Sequence, residues 1–268
     1  MKVVMTGAAG GVATLIRPHL RQITSELVLS DRGDLNDLED GEVSMPADLT
    51  DLSSMERLLE GADGLIHLGG QSVEADWETV LNANIIGLHN IYEAARRQGC
   101  KRVIFATTNH VVGFYRRQQI IDHTVMPRPD SRYGVSKAFG EALGRMYADK
   151  YGLRFLNIRI GNVGDKPLDI RRLSIWVSPS DLTQLIQIGL THPDLHFEVV
   201  YGASKNARAW WDNSNAYRLG YEPKDRAEDY ADVAHAVSAA QPDDPITAQF
   251  QGGTFCAHEF AGDVDQIT

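Results

Sequence analysis

The feature that most limits how this chain can fold is a cluster of glycines set directly behind its first apolar run. Lys2–Thr6 is short, apolar and rich in β-branched residues, as a strand buried in a parallel sheet must be. It runs into Gly7-Ala8-Ala9-Gly10-Gly11, and helical spacing begins at once, with Val12, Leu15, Ile16 and Leu20 on one side. Glycines at such a junction let the chain turn sharply and leave the first N–H groups of the helix uncovered. The same grammar then repeats. Apolar runs at residues 26–30, 43–45, 64–68, 102–107 and 154–160 alternate with helical patterns at 53–59, 77–98 and 133–151. Alternation of this kind implies a parallel sheet covered by helices on both faces.

The expected fold is therefore α/β, a Rossmann-type doubly wound parallel sheet with small C-terminal insertions. Pro18 lies inside the first helical pattern and should kink or shorten it. Beyond residue 161 the signal weakens: 179–190 looks helical, 197–201 looks like a strand, and 241–268 is mixed. No linker or repeat divides the chain. We read one domain over residues 1–268, with 1–160 mainly holding a cofactor and 161–268 contributing a substrate pocket. Composition excludes several partners. The formal charge of −10 argues against a nucleic-acid binder, and Arg116–Arg117 and Arg171–Arg172 are pairs, not a polybasic patch. No apolar run is long enough to span a membrane, and Met1 to Gly7 reads as a strand entering a turn and not as a leader. The two cysteines, Cys100 and Cys256, have no metal-like spacing, so no metal is expected. Two isolated thiols suit a reducing cytoplasm.

The glycine loop offers a cradle for a pyrophosphate at the N-terminus of the first helix. Asp31 ends the second strand, where a carboxylate accepts both ribose hydroxyls of an adenosine and repels a 2′-phosphate. NAD is thus expected over NADP, although Arg32 beside it is suited to a 2′-phosphate. Asp48, after the third strand, reaches an adenine amine or is a solvated loop acid. The expected cofactor set is Gly7, Gly10, Gly11, Val12, Asp31, Arg32, Asp48, Leu49, Leu68, Gly69 and Gly70, with Tyr133 and Lys137.

Tyr133 and Lys137 are four residues apart, on one face of a helix. An ammonium near a phenol lowers its pKa and makes it a usable base. Thr107-Thr108-Asn109 follows the fifth strand, at the sheet edge where ligands bind in open α/β folds. A hydroxyl from Thr108 can polarise a substrate oxygen beside Tyr133, while one of the two threonines caps the strand.

These residues together resemble the extended short-chain dehydrogenase/reductase superfamily: Gly7-x-x-Gly10, Asp31, Gly69-Gly70, Asn84, Thr108 and Tyr133-x-x-x-Lys137, over roughly the first 165 residues. Longer strings are similar to the uronate dehydrogenase family: Thr6-Gly7-Ala8-Ala9-Gly10-Gly11-Val12, His67-Leu68-Gly69-Gly70-Gln71-Ser72-Val73-Glu74, Thr108-Asn109-His110, Ile158-Arg159-Ile160-Gly161, Val199-Val200-Tyr201-Gly202-Ala203-Ser204 and Trp210-Trp211-Asp212-Asn213. The resemblance implies oxidation of glucuronate or galacturonate at C1 to an aldarolactone, with NAD. It implies a catalytic set of Tyr133, Lys137, Thr108 and Asn84, the asparagine holding a water near the lysine. It implies that Arg171 binds the substrate carboxylate, with Ser72, Thr108, Asn109, His110, Tyr133 and Asn162 around the sugar. His110 suits a structural hydrogen bond equally well, and Trp210 and Trp211 suit core or interface positions. Three positions depart from the pattern: Ala13 for a third glycine, Thr108 for a serine, and Asn162 for a small serine. A nucleotide-sugar epimerase or dehydratase is the alternative on the same scaffold, and a non-catalytic NAD sensor is a second. An exposed tail after Gln241, with the two tryptophans, would suit a homo-oligomer interface.

Overall fold

The computed structural model describes residues 1–240 and 243–267; Gln241, where the expected tail begins, lies outside the described residues. The elements follow in order: β1 (Lys2–Thr6), α1 (Gly11–Leu20), β2 (Glu26–Ser30), β3 (Glu42–Ser44), α2 (Leu52–Leu58), β4 (Gly64–His67), α3 (Trp77–Val80), α4 (Gly87–Gln98), β5 (Arg102–Thr108), α5 (Arg132–Tyr151), β6 (Arg154–Ile160), β7 (Asn162–Val163), α6 (Arg172–Ile175), β8 (Trp176–Val177), α7 (Pro179–Thr191), β9 (Phe197–Gly202), α8 (Ser214–Arg218), α9 (Ala231–Ala240), α10 (Pro245–Gln249) and α11 (Thr254–Ala257). Seven strands form one parallel sheet in the order β3-β2-β1-β4-β5-β6-β9. The doubly wound sheet expected from the sequence is the sheet observed. Strand order reverses between β1 and β4, so a crevice opens above their carboxyl ends, where loops of opposite direction part.

Alternate residues of each strand point to opposite faces. Val3, Met5, Leu27 and Leu29 pack against Ile16 and Leu20 of α1 and Leu182, Leu185 and Ile186 of α7. Val4, Val28, Leu65 and Val103 pack against Met55, Leu58, Leu88, Ile91 and Tyr92 on the other side. Burying each such aliphatic side chain stabilises the fold by about 1.5–3 kcal/mol.

Four details differ from the sequence reading. Pro18 does not shorten α1, because it falls in the last turn and removes a single internal hydrogen bond. The pattern at 77–98 is continuous, but Leu81–Ile86 is wound as a π-helical turn between α3 and α4. Such turns concentrate at functional sites, and this one carries Asn84. Helix α5, capped by Ser131 and stopped at left-handed Gly152, carries an apolar stripe that is buried only in part: Tyr147 is buried, and Ala138, Phe139, Leu143 and Met146 are partly buried against the core. It turns Tyr133, Ser136, Lys137, Gly140, Glu141 and Gly144 inward and leaves Val135 and Ala142 exposed. Glycine decides that choice: a Cβ at Gly140 would lie 2.5 Å from the Phe105 ring. Finally, the segment after residue 242 is not an exposed tail. Phe250, Gln251 and Cys256 are buried, and Arg116 and Arg117 clamp the segment by donating to the carbonyls of Val264, Ile267, Phe250 and Thr247. Among the described residues no helix is long and apolar enough to cross a membrane.

Candidate active site

A cleft of about 670 Å³ lies over the β1/β4 crevice and runs from Asp31 and Arg32 past the glycine loop to Tyr133 and Lys137. Its first wall is the glycine loop. Gly7 has φ +71°, and a Cβ there would sit 2.7 Å from the Gly69 nitrogen, so only glycine lets the loops after β1 and β4 touch. Gly10 begins α1 without any side-chain cap. The first N–H groups of the helix therefore have no intrahelical acceptor and carry its partial positive charge. A Cβ at Gly11 would meet nothing within 4 Å, which leaves the cradle open to an anionic group.

Asp31 is held by that loop: Oδ2 accepts from the Ala9 N–H at 3.0 Å and Oδ1 from the Arg32 N–H at 2.8 Å. Asp48 accepts from the Thr50 N–H and hydroxyl, both at 2.8 Å, and these bonds hold its carboxyl below the usual carboxylate range. Leu49 packs on Gly69. Gly7, Gly10, Gly11, Val12, Asp31, Arg32, Asp48, Leu49, Leu68, Gly69 and Gly70 all line the one cleft. An uncapped helix end, an open glycine cradle and a ribose-height carboxylate fit a dinucleotide.

Asn84 serves the loop after β4. Its Oδ1 accepts from the Gln71 N–H at 2.8 Å; its Nδ2 donates to the Gln71 carbonyl and to Ser136 Oγ, each at 2.9 Å. In this arrangement it fastens the loop to α5. Beneath, His67 Nδ1 meets Thr6 Oγ1 at 2.7 Å, and burial pushes its pKa down to about 3, which makes it a neutral structural ring.

At the far end, Thr108 ends β5 with its hydroxyl close enough to the Tyr133 phenol to lower the pKa of that group. It also accepts from the His110 N–H at 3.3 Å, whereas Thr107 bonds Glu141 at 2.9 Å. Lys137 Nζ donates to the Ala106 carbonyl at 2.8 Å and lies 4.8 Å from the Phe105 ring and 5.8 Å from the Tyr133 ring centre. Burial lowers its pKa to about 8. The expected lowering of the Tyr133 pKa is not found. Burial pushes it up to about 12, more than the Thr108 hydroxyl lowers it, and Asp130 adds to the rise. Desolvation of the phenolate outweighs an ammonium directed at Ala106.

The sugar-side residues separate into two groups. Ser72, Thr108, His110 and Tyr133 line the cleft. Asn109 lies fully buried behind them; with its amide turned over to suit its neighbours, Nδ2 donates to the Ile160 carbonyl at 3.3 Å and Oδ1 accepts from Arg171 Nη2 at 3.2 Å. Arg171 is one layer further back. Nε and Nη2 donate to the Gln251 carbonyl at 3.1 and 2.7 Å, and among the described residues it makes no ion pair. Asp169 pairs with Arg172 instead. Burial, helped by Arg117 and Arg172, lowers the Arg171 pKa to about 10. Asn162 is not brought to the cleft; it pairs with Trp176 in the β7–β8 ribbon. His110 is both lining and structural: Nδ1 meets Asp130 at 2.7 Å and its ring stacks on Phe255 at 3.9 Å. Trp211 is core, stacked on Tyr201 at 4.7 Å.

Sequence reasoning missed four contributors. Glu74 accepts from the Tyr133 N–H at 2.9 Å and pairs with Arg132 at 2.7 Å. Asp130, Gln251 and Phe255 brace His110 and Arg171. Only Glu74 stood within a recognisable string; the others act at long sequence distance.

This fold and site define a class, and the NAD dependent epimerase/dehydratase family matches residues 3–164. The chain belongs to that family, and within it to the uronate dehydrogenases. It is 44% identical over 263 residues to the uronate dehydrogenase of Pseudomonas syringae pv. tomato, covering 98% of this chain and 95% of that one. It is similar to the crystal structure of glucuronic acid dehydrogenase from Chromohalobacter salexigens, with a TM-score of 0.91 at 44% identity and 98% of each chain covered. A variant of uronate dehydrogenase from Agrobacterium tumefaciens complexed with NAD gives a TM-score of 0.90 at 40% identity, covering 96% of this chain and 97% of that one.

Proposed function

We propose that this chain oxidises a hexuronic acid, glucuronate or galacturonate in its ring form, at C1 to the aldarolactone with NAD. The observation that carries this reading is Arg171, a half-buried cation that makes no ion pair among the described residues, set behind Asn109 at the phenol end of the cleft. A guanidinium presents a planar fork matched to a carboxylate. Asp31 supports NAD over NADP by repelling a 2′-phosphate.

The α1 N-terminus and the close Gly7–Gly69 approach would hold the pyrophosphate, and Lys137 would bind the second ribose. Arg171 and Asn109 orient the uronate so that its anomeric hydroxyl meets Tyr133 and Thr108. Tyr133 takes the hydroxyl proton while the C1–O bond becomes a carbonyl. NAD, when bound, would supply the acceptor for the C1 hydride. Lys137 and the Thr108 hydroxyl stabilise the phenolate that accepts this proton, against the burial that raises its pKa, and the transfer leaves Tyr133 as the neutral phenol. Asn84 keeps the loop after β4 fastened to α5 while this occurs.

Formation of NADH, followed by absorbance with glucuronate, galacturonate and matched neutral hexoses, tests the reading. Turnover of uronates with NAD and not NADP, lost in Tyr133→Phe, is expected. Turnover of a UDP-sugar in place of the free acids would favour the epimerase or dehydratase reading, and cofactor binding without turnover the sensor. The same reading places the reaction in the cytoplasm, where the buried free thiols Cys100 and Cys256 stay reduced. It includes no nucleic-acid partner. It includes a homo-oligomer, checked by light scattering.

A further inference from the structure

Two side chains on the sugar side, Arg171 and His110, rest on one short stretch of chain, residues 250–256. The Gln251 carbonyl accepts both Nε and Nη2 of Arg171, at 3.1 and 2.7 Å, so one backbone oxygen fixes the plane of the guanidinium. That carbonyl is itself held. The Gln251 side chain is fully buried, accepting from Trp211 Nε1 at 2.9 Å and donating to the carbonyls of Arg116 and Gln119 at 3.2 and 3.0 Å. Two residues on, Gly253 has φ +67° and ψ −130°, backbone that side-chain-bearing residues rarely adopt. A Cβ there would lie 2.6 Å from Arg171 Nε, 2.9 Å from Cδ and 3.1 Å from Cζ. The guanidinium therefore occupies space that only glycine leaves open. Phe255 then stacks on His110.

We infer that Gly253, with the Gln251 carbonyl, is a positioning residue that aims the Arg171 guanidinium and so sets the preference for a carboxylate-bearing sugar over a neutral one. This rests on the proposed uronate oxidation. It adds that the preference resides as much in the C-terminal segment as in the arginine. Gly253 touches neither the phenol nor the cofactor cradle, so its effect falls on substrate binding. A cation displaced by an ångström loses bidentate geometry, and charge-assisted hydrogen bonds weaken steeply with misalignment.

The test uses the full-length protein with NAD. In Gly253→Ala the KM for the uronate is expected to rise by about tenfold or more, with kcat within about threefold and the NAD Kd unchanged. In an Arg171→Met background the same change should move the uronate KM by less than about twofold, because the two act through one contact. Equal effects in both backgrounds, or a loss confined to kcat, would overturn the inference. If Gly253→Ala does not fold, amide exchange of Gly252 to Phe255 in the wild-type decides. It should slow with the uronate plus NAD and not with a matched neutral hexose; equal protection by both sugars would overturn it. Failure of wild-type uronate turnover would instead refute the proposed function itself.

Discussion

Replacing Lys137 by Met should make the protein inactive and, at neutral pH, more stable. The lysine is 5% exposed, and among the described residues no carboxylate lies within ion-pair distance of it. Its pKa falls from 10.5 to about 8 on folding, because burial penalises the ammonium. The folded state thus binds this proton more weakly than the unfolded chain does. Where both are protonated, below about pH 8, the drop corresponds to about 3 kcal/mol of destabilisation. The penalty fades as the pH rises from about 8 towards 10.5, since the unfolded lysine then loses its advantage. Methionine removes the penalty but also the donor to the Ala106 carbonyl, a loss of about 1 kcal/mol. A net gain of about 1–2 kcal/mol remains, or a rise in Tm of about 2–6 °C for a domain of this size. Tyr133 is present in both proteins, so its own high pKa cancels from the comparison. Thermal denaturation of the cofactor-free proteins at pH 7 and pH 10, with steady-state turnover alongside, provides the measurement. The gain should shrink at the higher pH, and turnover should fall by about a hundredfold or more. A variant less stable than wild-type at pH 7, or a difference that ignores pH, would refute the argument that the ammonium is held at a cost for chemistry.

Arg171→Met should lower kcat/KM for uronates by about two to three orders of magnitude, the scale of breaking a buried charge-assisted contact, and narrow the gap to neutral hexoses. Initial rates with paired acid and neutral sugars read this directly. Asp31→Ala should raise the NADP-to-NAD ratio of kcat/KM, since the carboxylate held by the Ala9 N–H no longer opposes a 2′-phosphate; an unchanged ratio would remove Asp31 from cofactor selection. Gly7→Ala should abolish cofactor binding in calorimetry and cost about 1–3 kcal/mol of stability, because a methyl would enter the Gly69 backbone at a positive φ.

The cofactor half was legible in the sequence because its parts are local. A glycine loop lies between a strand and a helix, an acid ends the next strand, and Tyr133 and Lys137 share a helical face. Each is a spacing of a few residues, and the parallel sheet then carries all of them to one edge. Even there, local pattern did not show that α5 also turns a glycine-lined face inward. Its apolar residues are more hydrophobic than Gly140 and Gly144, yet only the glycines fit against Phe105 and Phe155. The pKa of Tyr133 was also out of reach, because spacing gives the distance to the ammonium and not the depth of burial. On the sugar side the decisive contacts join Arg171 to Gln251 across 80 positions and Trp211 to Gln251 across 40. Several of them use a backbone carbonyl, which any residue type supplies. A glycine whose role is to leave room for a guanidinium distant in sequence has no signature of its own.

The charge arithmetic leads to the same place. A chain with a formal charge of −10 must bind an anionic sugar and an anionic dinucleotide. Long-range repulsion is screened within about 8 Å at physiological ionic strength, so local arrangement decides. Most arginines here are already matched: Arg172 with Asp169, Arg159 with Glu141, Arg132 with Glu74. Because Asp169 is engaged by Arg172, its neighbour Arg171 keeps its charge for something else. Burial lowers the Arg171 pKa, with Arg117 and Arg172 adding to the fall and Asp169 and Asp130 opposing it. The Gln251 carbonyl satisfies two guanidinium donors without neutralising the group. A neutral acceptor in that position keeps the cation ordered and still hungry for a carboxylate, which a glutamate side chain there could not do. On the proposed role of Arg171, the selectivity of an acidic protein for an acidic substrate comes from withholding one counter-ion, and it needs no basic surface.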